Sequence, residues 1–102
     1  MIKSELVERL PKRYKKDIEK AVEILKNHGC TEVYLFGDYA DGTYWENEDM
    51  SFAVKGAENK LYFRILGNLI MELSVDAKLV YLDDNTDQSK FVLEREELIR
   101  VG

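Results

Sequence analysis

The chain reads as an α+β domain in which a mixed β-sheet carries helices packed mainly on one face. Three observations predict it. Apolar residues recur at helical spacing in two long segments, short runs rich in β-branched and aromatic residues separate them, and glycine, proline and polar clusters mark the boundaries. Strands interleaved with helices in the order α-β-β-α-β-α fit a sheet with one well-covered face. At 102 residues, 45% of them hydrophobic, residues 1–102 suit a single domain with a small core.

Each element has a local reason. Leu6, Val7 and Leu10 lie on one side of a short helical segment, Ser4 to Leu10, with Ser4 placed as N-cap. Pro11 interrupts it, and a second helix starts there, since proline is tolerated in a first turn. Tyr14, Ile18, Ala21, Val22 and Leu25 continue that helix on one face. Asn27-His28-Gly29 stops it, with glycine suited to the left-handed position after the last turn. Thr31 to Phe36 reads as a strand, Gly37 to Glu48 as a loop with room for one helical turn, and Met50 to Val54 as a second strand. Gly56 to Asn59 is a turn ending in a candidate N-cap. Lys60 to Leu73 carries the apolar stripe Leu61, Ile65, Leu66, Leu69, Ile70 and Leu73, which marks a core helix. Val75 to Leu82 is a third strand, Asp83 to Asp87 a polar loop, Lys90 to Glu96 a short helix, and Leu98 to Val101 a terminal strand or tail.

Composition narrows the function. The net charge of −5 disfavours direct nucleic-acid binding. The one basic cluster, Lys12-Arg13-Tyr14-Lys15-Lys16, is expected to solvate a helix face. No stretch approaches the ~20 apolar residues of a membrane helix. The charged, amphipathic opening is not patterned as a signal peptide, and a single cysteine, Cys30, excludes an internal disulfide. Together these predict a cytoplasmic protein, with Cys30 as a small buried apolar residue. His28, the one histidine, is expected at a helix end rather than in catalysis or a zinc cluster.

The chemically informative stretch is Leu35-Phe36-Gly37-Asp38-Tyr39-Ala40-Asp41-Gly42. Gly37 and Gly42 bracket a tight turn after a strand, an arrangement whose backbone N–H groups can cradle a phosphate. Asp38 and Asp41 put negative charge into the same turn. Further on come Glu48-Asp49-Met50-Ser51-Phe52-Ala53-Val54 and Val75-Asp76-Ala77-Lys78-Leu79-Val80. In order, spacing and flanking apolar residues, these three segments resemble the minimal nucleotidyltransferases of the DNA polymerase β superfamily. That pattern is a strand ending in Leu-Phe-Gly-Ser, a Tyr-Ala-Arg-Gly-like turn, a loop of about ten residues, Ser-Asp-Ile-Asp-Leu, and a later strand with a third aspartate. The resemblance covers most of the chain and implies the nucleotidyltransferase, polymerase β-like fold.

What the resemblance implies for the site is residue-specific. Gly37, Asp38 and Gly42 fall on the phosphate loop. Asp49 and Asp76 fall on the first and third metal-binding carboxylates, and Ser51 on the second. Relatives transfer a nucleoside monophosphate from a triphosphate with two magnesium ions. Alternate residues of a strand face the same way, so Asp-x-Asp presents two hard oxygen ligands together. Two metals then hold the attacking and leaving oxygens in line. Three positions depart from the pattern: Asp38 replaces serine, Asp41 an arginine, and Ser51 an aspartate. Ser51 keeps a position but loses a charged ligand for Mg2+. Glu48 is not expected to substitute, because adjacent strand residues point to opposite faces. Asp38 opposes the phosphates: two unit charges ~4 Å apart repel by roughly 4 kcal/mol at an effective dielectric of ~20, on the order of a thousandfold in affinity. Were Asp38 to turn inward beside Asp49 and Asp76, one divalent cation would still find a site.

Two functions follow. In the first, the domain has lost catalysis and acts through a protein partner. The resemblance implies a helical HEPN protein, with this chain as the antitoxin-like member, or a homo-oligomer; ATP binding is not expected. In the second, the chain is a live metal-dependent nucleotidyltransferase that adenylylates a protein or small molecule from ATP. Tyr39, Tyr44 and Trp45 are expected to pack over the sheet edge, with base stacking or partner docking as alternatives.

Overall fold

In a computed structural model, which describes residues 5–102, the chain forms α1 (Glu5–Glu8), α2 (Lys12–Asn27), β1 (Glu32–Phe36), α3 (Asp38–Asp41), β2 (Met50–Lys55), α4 (Tyr62–Glu72), β3 (Ala77–Tyr81), α5 (Asp87–Arg95) and β4 (Ile99–Arg100). The expected N-cap Ser4 lies outside the described residues, as does the Asn59 side chain. The expected fold is present: an α+β domain on a mixed four-stranded sheet in the order β3-β2-β1-β4. β1 runs antiparallel to β2 and β4, while β2 and β3 are parallel, joined through α4.

Alternation along the strands divides the core. Val33, Leu35, Met50, Phe52, Val54, Ala77, Leu79 and Tyr81 face one side and pack against Ile18, Ala21 and Leu25 of α2 and Ile65 and Leu69 of α4. The other side is smaller. There Ala53 and Val80 meet Val92 of α5, with Leu82 buried beside them and Tyr34, Phe36 and Leu98 packed around. The two long helices therefore share one face, and α5 covers part of the other.

Helix boundaries follow their end chemistry. Pro11 stands just before α2 with extended backbone (φ −52°, ψ 149°), where its missing N–H costs nothing. The His28 N–H bonds back to the carbonyls of Ile24 and Leu25, and Gly29 takes φ +93°, as the stop signal predicts. The start of α5 was less legible. It begins at Asp87, three residues before the expected Lys90, because Thr86 caps it. The Thr86 hydroxyl accepts from Ser89 N–H at 3.1 Å and Ser89 Oγ accepts from Thr86 N–H at 2.9 Å. β3 is shorter than expected at both ends.

A polar brace joins distant segments. Asp17, 7% exposed, accepts from the Ser74 N–H at 3.0 Å and from the Ser74 hydroxyl. Arg13, one turn earlier on α2, donates to Ser74 Oγ at 2.9 Å and to the Asn47 side chain. This brace fixes the entry to β3 and the loop before β2 against one helix. The basic cluster otherwise behaves as expected: Tyr14 is buried, while Lys12, Lys15 and Lys16 are exposed. Cys30 is buried, and burial pushes its thiol up to about 11 against the opposing pull of Lys26.

Candidate functional site

The end of β1, the start of β2, β3 and the inner face of α5 enclose one cleft of about 330 Å³. Its lining includes Asp38, Glu48, Ser51, Lys78, Phe91 and Glu96. β1 delivers the loop. After Phe36 the chain turns at Gly37 with φ +82°, a conformation that side chains other than glycine resist. Space is not the reason for glycine here, since a Cβ would sit an ordinary 3.6 Å from Ser51 Oγ. One short turn of helix, α3, follows and ends at Gly42, whose left-handed backbone returns its N–H to the Asp38 carbonyl at 2.9 Å.

The two loop aspartates share one neighbour, the Thr43 hydroxyl, which lies 3.3 Å from Asp38 Oδ1 and 2.6 Å from Asp41 Oδ1. Asp38 lines the cleft. Asp41 turns to its own loop, accepting from the Thr43 N–H at 3.1 Å and the Thr43 hydroxyl at 2.6 Å. Its short side chain thereby closes a local turn.

Glu48 also departs from expectation. It lines the same cleft as Ser51. The alternation rule does not reach it, because β2 begins only at Met50 and Glu48 belongs to the preceding turn. Two contacts hold it there. Its Oε1 accepts from the Trp45 N–H at 2.8 Å, and its backbone carbonyl accepts from the Tyr39 hydroxyl at 2.7 Å. The Trp45 N–H draws the Glu48 carboxyl down, but partial burial and the negative charges of Asp38 and Asp49 outweigh it and leave the group raised.

The aromatic loop divides. Tyr39 is fully buried, stacks on Tyr44 with ring centroids 4.7 Å apart, and meets Tyr14 at 5.0 Å. These two tyrosines pack as a lid on the core, as expected. Trp45 does not: it is 79% exposed. Sequence spacing carries no sign of this difference.

Asp49 and Asp76 are held side by side at the strand mouths, where the Met50 N–H donates to the Asp76 carbonyl at 2.9 Å. Neither lines the cleft, and Asp76 is exposed. The β2–β3 register pairs Ser51 with Lys78. Paired residues of neighbouring strands share a face, so the side chain set beside Ser51 is an ammonium. Lys78 is the residue that motif reading missed; the signal lay in the parallel register, which a sequence does not display.

The cleft thus presents three carboxylates, Asp38, Glu48 and Glu96, one ammonium, one hydroxyl and an aromatic wall. This set does not fit the magnesium pair that the fold implies. Among the described residues no three His, Cys, Asp or Glu side chains are arranged to hold an ion, and one member of the cleft lining is basic, where a magnesium site is built from hard oxygen ligands.

No family profile matches the chain, and no curated protein matches it. Solved structures do. A toxin–antitoxin crystal structure with AMP-PNP superposes with a TM-score of 0.65 at 25% identity, over 79% of this chain and 70% of that one. A MntA–HepT toxin–antitoxin structure gives 0.60 at 21% identity, covering 82% and 69%. A tri-AMPylated Shewanella oneidensis HEPN toxin in complex with MNT antitoxin gives 0.60 at 21%, again covering 82% and 69%. Strand order, glycine turn and cleft together define a nucleotidyltransferase-fold domain. Within that class its fold is that of the minimal nucleotidyltransferases, in agreement with the expectation drawn from the three motif segments.

Proposed function

We propose that this domain has given up nucleotidyl transfer and works by binding a protein partner, a helical HEPN-type protein for which it is the antitoxin-like member. One observation supports the loss of chemistry: Asp38 and Glu48 line the same cleft as Ser51 and Lys78, so a triphosphate bound there would meet two carboxyls. Polyanion and cleft repel, and among the described residues no oxygen cluster gathers counter-ions to offset that repulsion. The solved structures with the same fold are toxin–antitoxin complexes, which supports the partner role. The exposed Trp45, next to half-buried Tyr44 and near buried Tyr39, is the natural contact point for such a partner. No helix among the described residues is long and apolar enough to cross a membrane, and the protein is placed in the cytoplasm on this reading.

The second reading, adenylyl transfer from ATP to a protein acceptor, is favoured by one observation: the similar complexes include one with AMP-PNP and one with an AMPylated toxin. Calorimetry with ATP and Mg2+ or Mn2+ separates the two. The first reading expects no saturable heat and no label transferred from ATP to a co-expressed partner. Micromolar binding or transfer would replace it with the second.

A further inference from the structure

Helix α4 is apolar on two sides. Ile65 and Leu69 face the core, and Leu66 packs partly against it. On the outer side Phe63 and Met71, the two most exposed large apolar side chains among the described residues, stand 83% and 82% in solvent. Ile70, which spacing assigned to the core stripe, is 44% exposed beside them. A helix apolar on both sides is built to be covered on both. We infer that a second copy of this chain covers the outer side, through an antiparallel α4–α4 contact about a twofold axis at Gly67. The inference stands apart from whether the cleft is catalytic.

The pattern of the face is self-complementary, as a twofold contact requires: where residue i touches j of the other copy, j touches i. Phe63 and Met71 each lie four residues from Gly67, one on either side, so all three project within ~40° of one line along the helix. In an antiparallel pair centred on Gly67, each Phe63 ring meets the Met71 thioether of the other copy, a favourable sulfur–aromatic contact. At the centre glycine meets glycine. Nothing lies within 4 Å of a Cβ built at Gly67, so no packing inside the domain calls for glycine there, and glycine weakens a helix interior. At a crossing it lets two backbones approach closely. Charge agrees with this direction. The helix carries two charged side chains, Arg64 and Glu72, both exposed, and neither makes an ion pair among the described residues. They lie on one flank of the outer face, three residues before Gly67 and five after it. The twofold reverses order along the axis and keeps the flank, so Arg64 of one copy comes within ~3 Å, measured along the axis, of Glu72 of the other, and the contact is made twice. A parallel pair would set Arg64 level with Arg64 and align the helix dipoles. The opposite flank, with Leu66 and Ile70, is apolar. One helix face is smaller than the ~800 Å² per partner of a standard interface, so the dimer is a weak one, with a dissociation constant on the order of 100 µM.

Sedimentation velocity of the full chain from about 5 µM to about 1 mM tests this, with circular dichroism as the check on folding. Wild type is expected to move from monomer toward dimer over that range. G67E suits the helix itself better than glycine but sets two carboxylates face to face at the crossing, and it is expected to stay monomeric. R64E is expected to weaken the dimer roughly fivefold, and the exchange R64E/E72R to return it to within about twofold of wild type, since the pair is only reversed. Cross-linking checks the direction. Oxidised G67C is expected to form a disulfide between copies, whereas F63C is not, because position 63 of one copy is ~12 Å along the axis from that of the other. Cys30 is buried and does not compete. A wild type that stays monomeric at the highest concentration overturns the inference. So does a folded G67E that dimerises like wild type, a double exchange that does not recover, or F63C cross-linking as readily as G67C. If wild type is monomeric alone and G67E abolishes binding of a co-expressed protein, the face belongs to a different partner and the inference is wrong.

Discussion

The Tyr39 hydroxyl donates to the backbone carbonyl of Glu48 at 2.7 Å. Through this bond a residue buried in the glycine turn sets the position of the acid that enters the cleft. The rest of Tyr39 is core, stacked on Tyr44 and tilted against Tyr14. Removing only the hydroxyl, Tyr39→Phe, is expected to lower stability by about 1 kcal/mol, the usual worth of one such bond. Tyr39→Ala empties a core site and is expected to cost about 3–5 kcal/mol. Urea denaturation followed by circular dichroism measures both, and equal losses would mean that the ring contributes nothing.

Asp17 predicts a larger polar effect than its helix position suggests. Its buried carboxylate accepts from both the Ser74 amide and hydroxyl, 57 residues away. Asp17→Ala leaves those donors unpaired, at an expected cost of about 2 kcal/mol. The Ser74→Ala change keeps the amide bond and is expected to cost less. A double-mutant cycle reads the coupling directly, and additive losses would show that the brace is not a unit.

Glu48 makes stability depend on pH with a definite sign. Its folded-state carboxyl is raised, so the folded chain holds more protons than the unfolded one near and just above the ordinary carboxyl value of 4.5. Stability from this group is present below that value and declines as pH rises through the raised one. Asp38→Asn removes one of the negative charges responsible. In that variant the Glu48 carboxyl is expected to titrate lower, and the loss of stability with rising pH to flatten. Carbon-detected NMR titration of the Glu48 carboxyl checks this; an unchanged midpoint would remove Asp38 from the account.

Cys30 offers a probe of opening. Buried and pushed up to about 11, its thiol is almost wholly protonated at pH 8, and the thiolate is the reactive form. Native protein is expected to react with iodoacetamide far more slowly than denatured protein. A rate equal to that of the unfolded chain would show that Cys30 is not enclosed.

The loop glycine Gly56 reports on backbone strain. It has φ +97°, and an added Cβ would lie 2.7 Å from the Thr31 hydroxyl and 2.9 Å from the Thr31 backbone nitrogen. Gly56→Ala is expected to cost about 1–3 kcal/mol from the backbone conformation alone, with the clash adding to it. Thermal melting is the readout, and a neutral result would contradict the local geometry.

By itself the sequence determined the parts. Helical spacing of Tyr14, Ile18, Ala21 and Leu25 and of Ile65 and Leu69 reported which faces would be buried, because burial selects apolar residues at the period of the element. Gly29 and Gly37 marked turns, because few other residues tolerate positive φ. Three short segments in order were enough to indicate the nucleotidyltransferase fold and the glycine turn after β1. What the tertiary structure alone decided is which charges meet. Asp38 and Glu48 are ten positions apart, and Ser51 and Lys78 are set beside each other only by the parallel register of two strands separated by a helix. Asp41, read as part of the same acidic turn, closes its own loop. Trp45 differs from its neighbour Tyr44 in nothing that spacing records, yet one lies over the core and the other in solvent. Electrostatic interaction depends on distance through space, and a sequence reports distance along the chain.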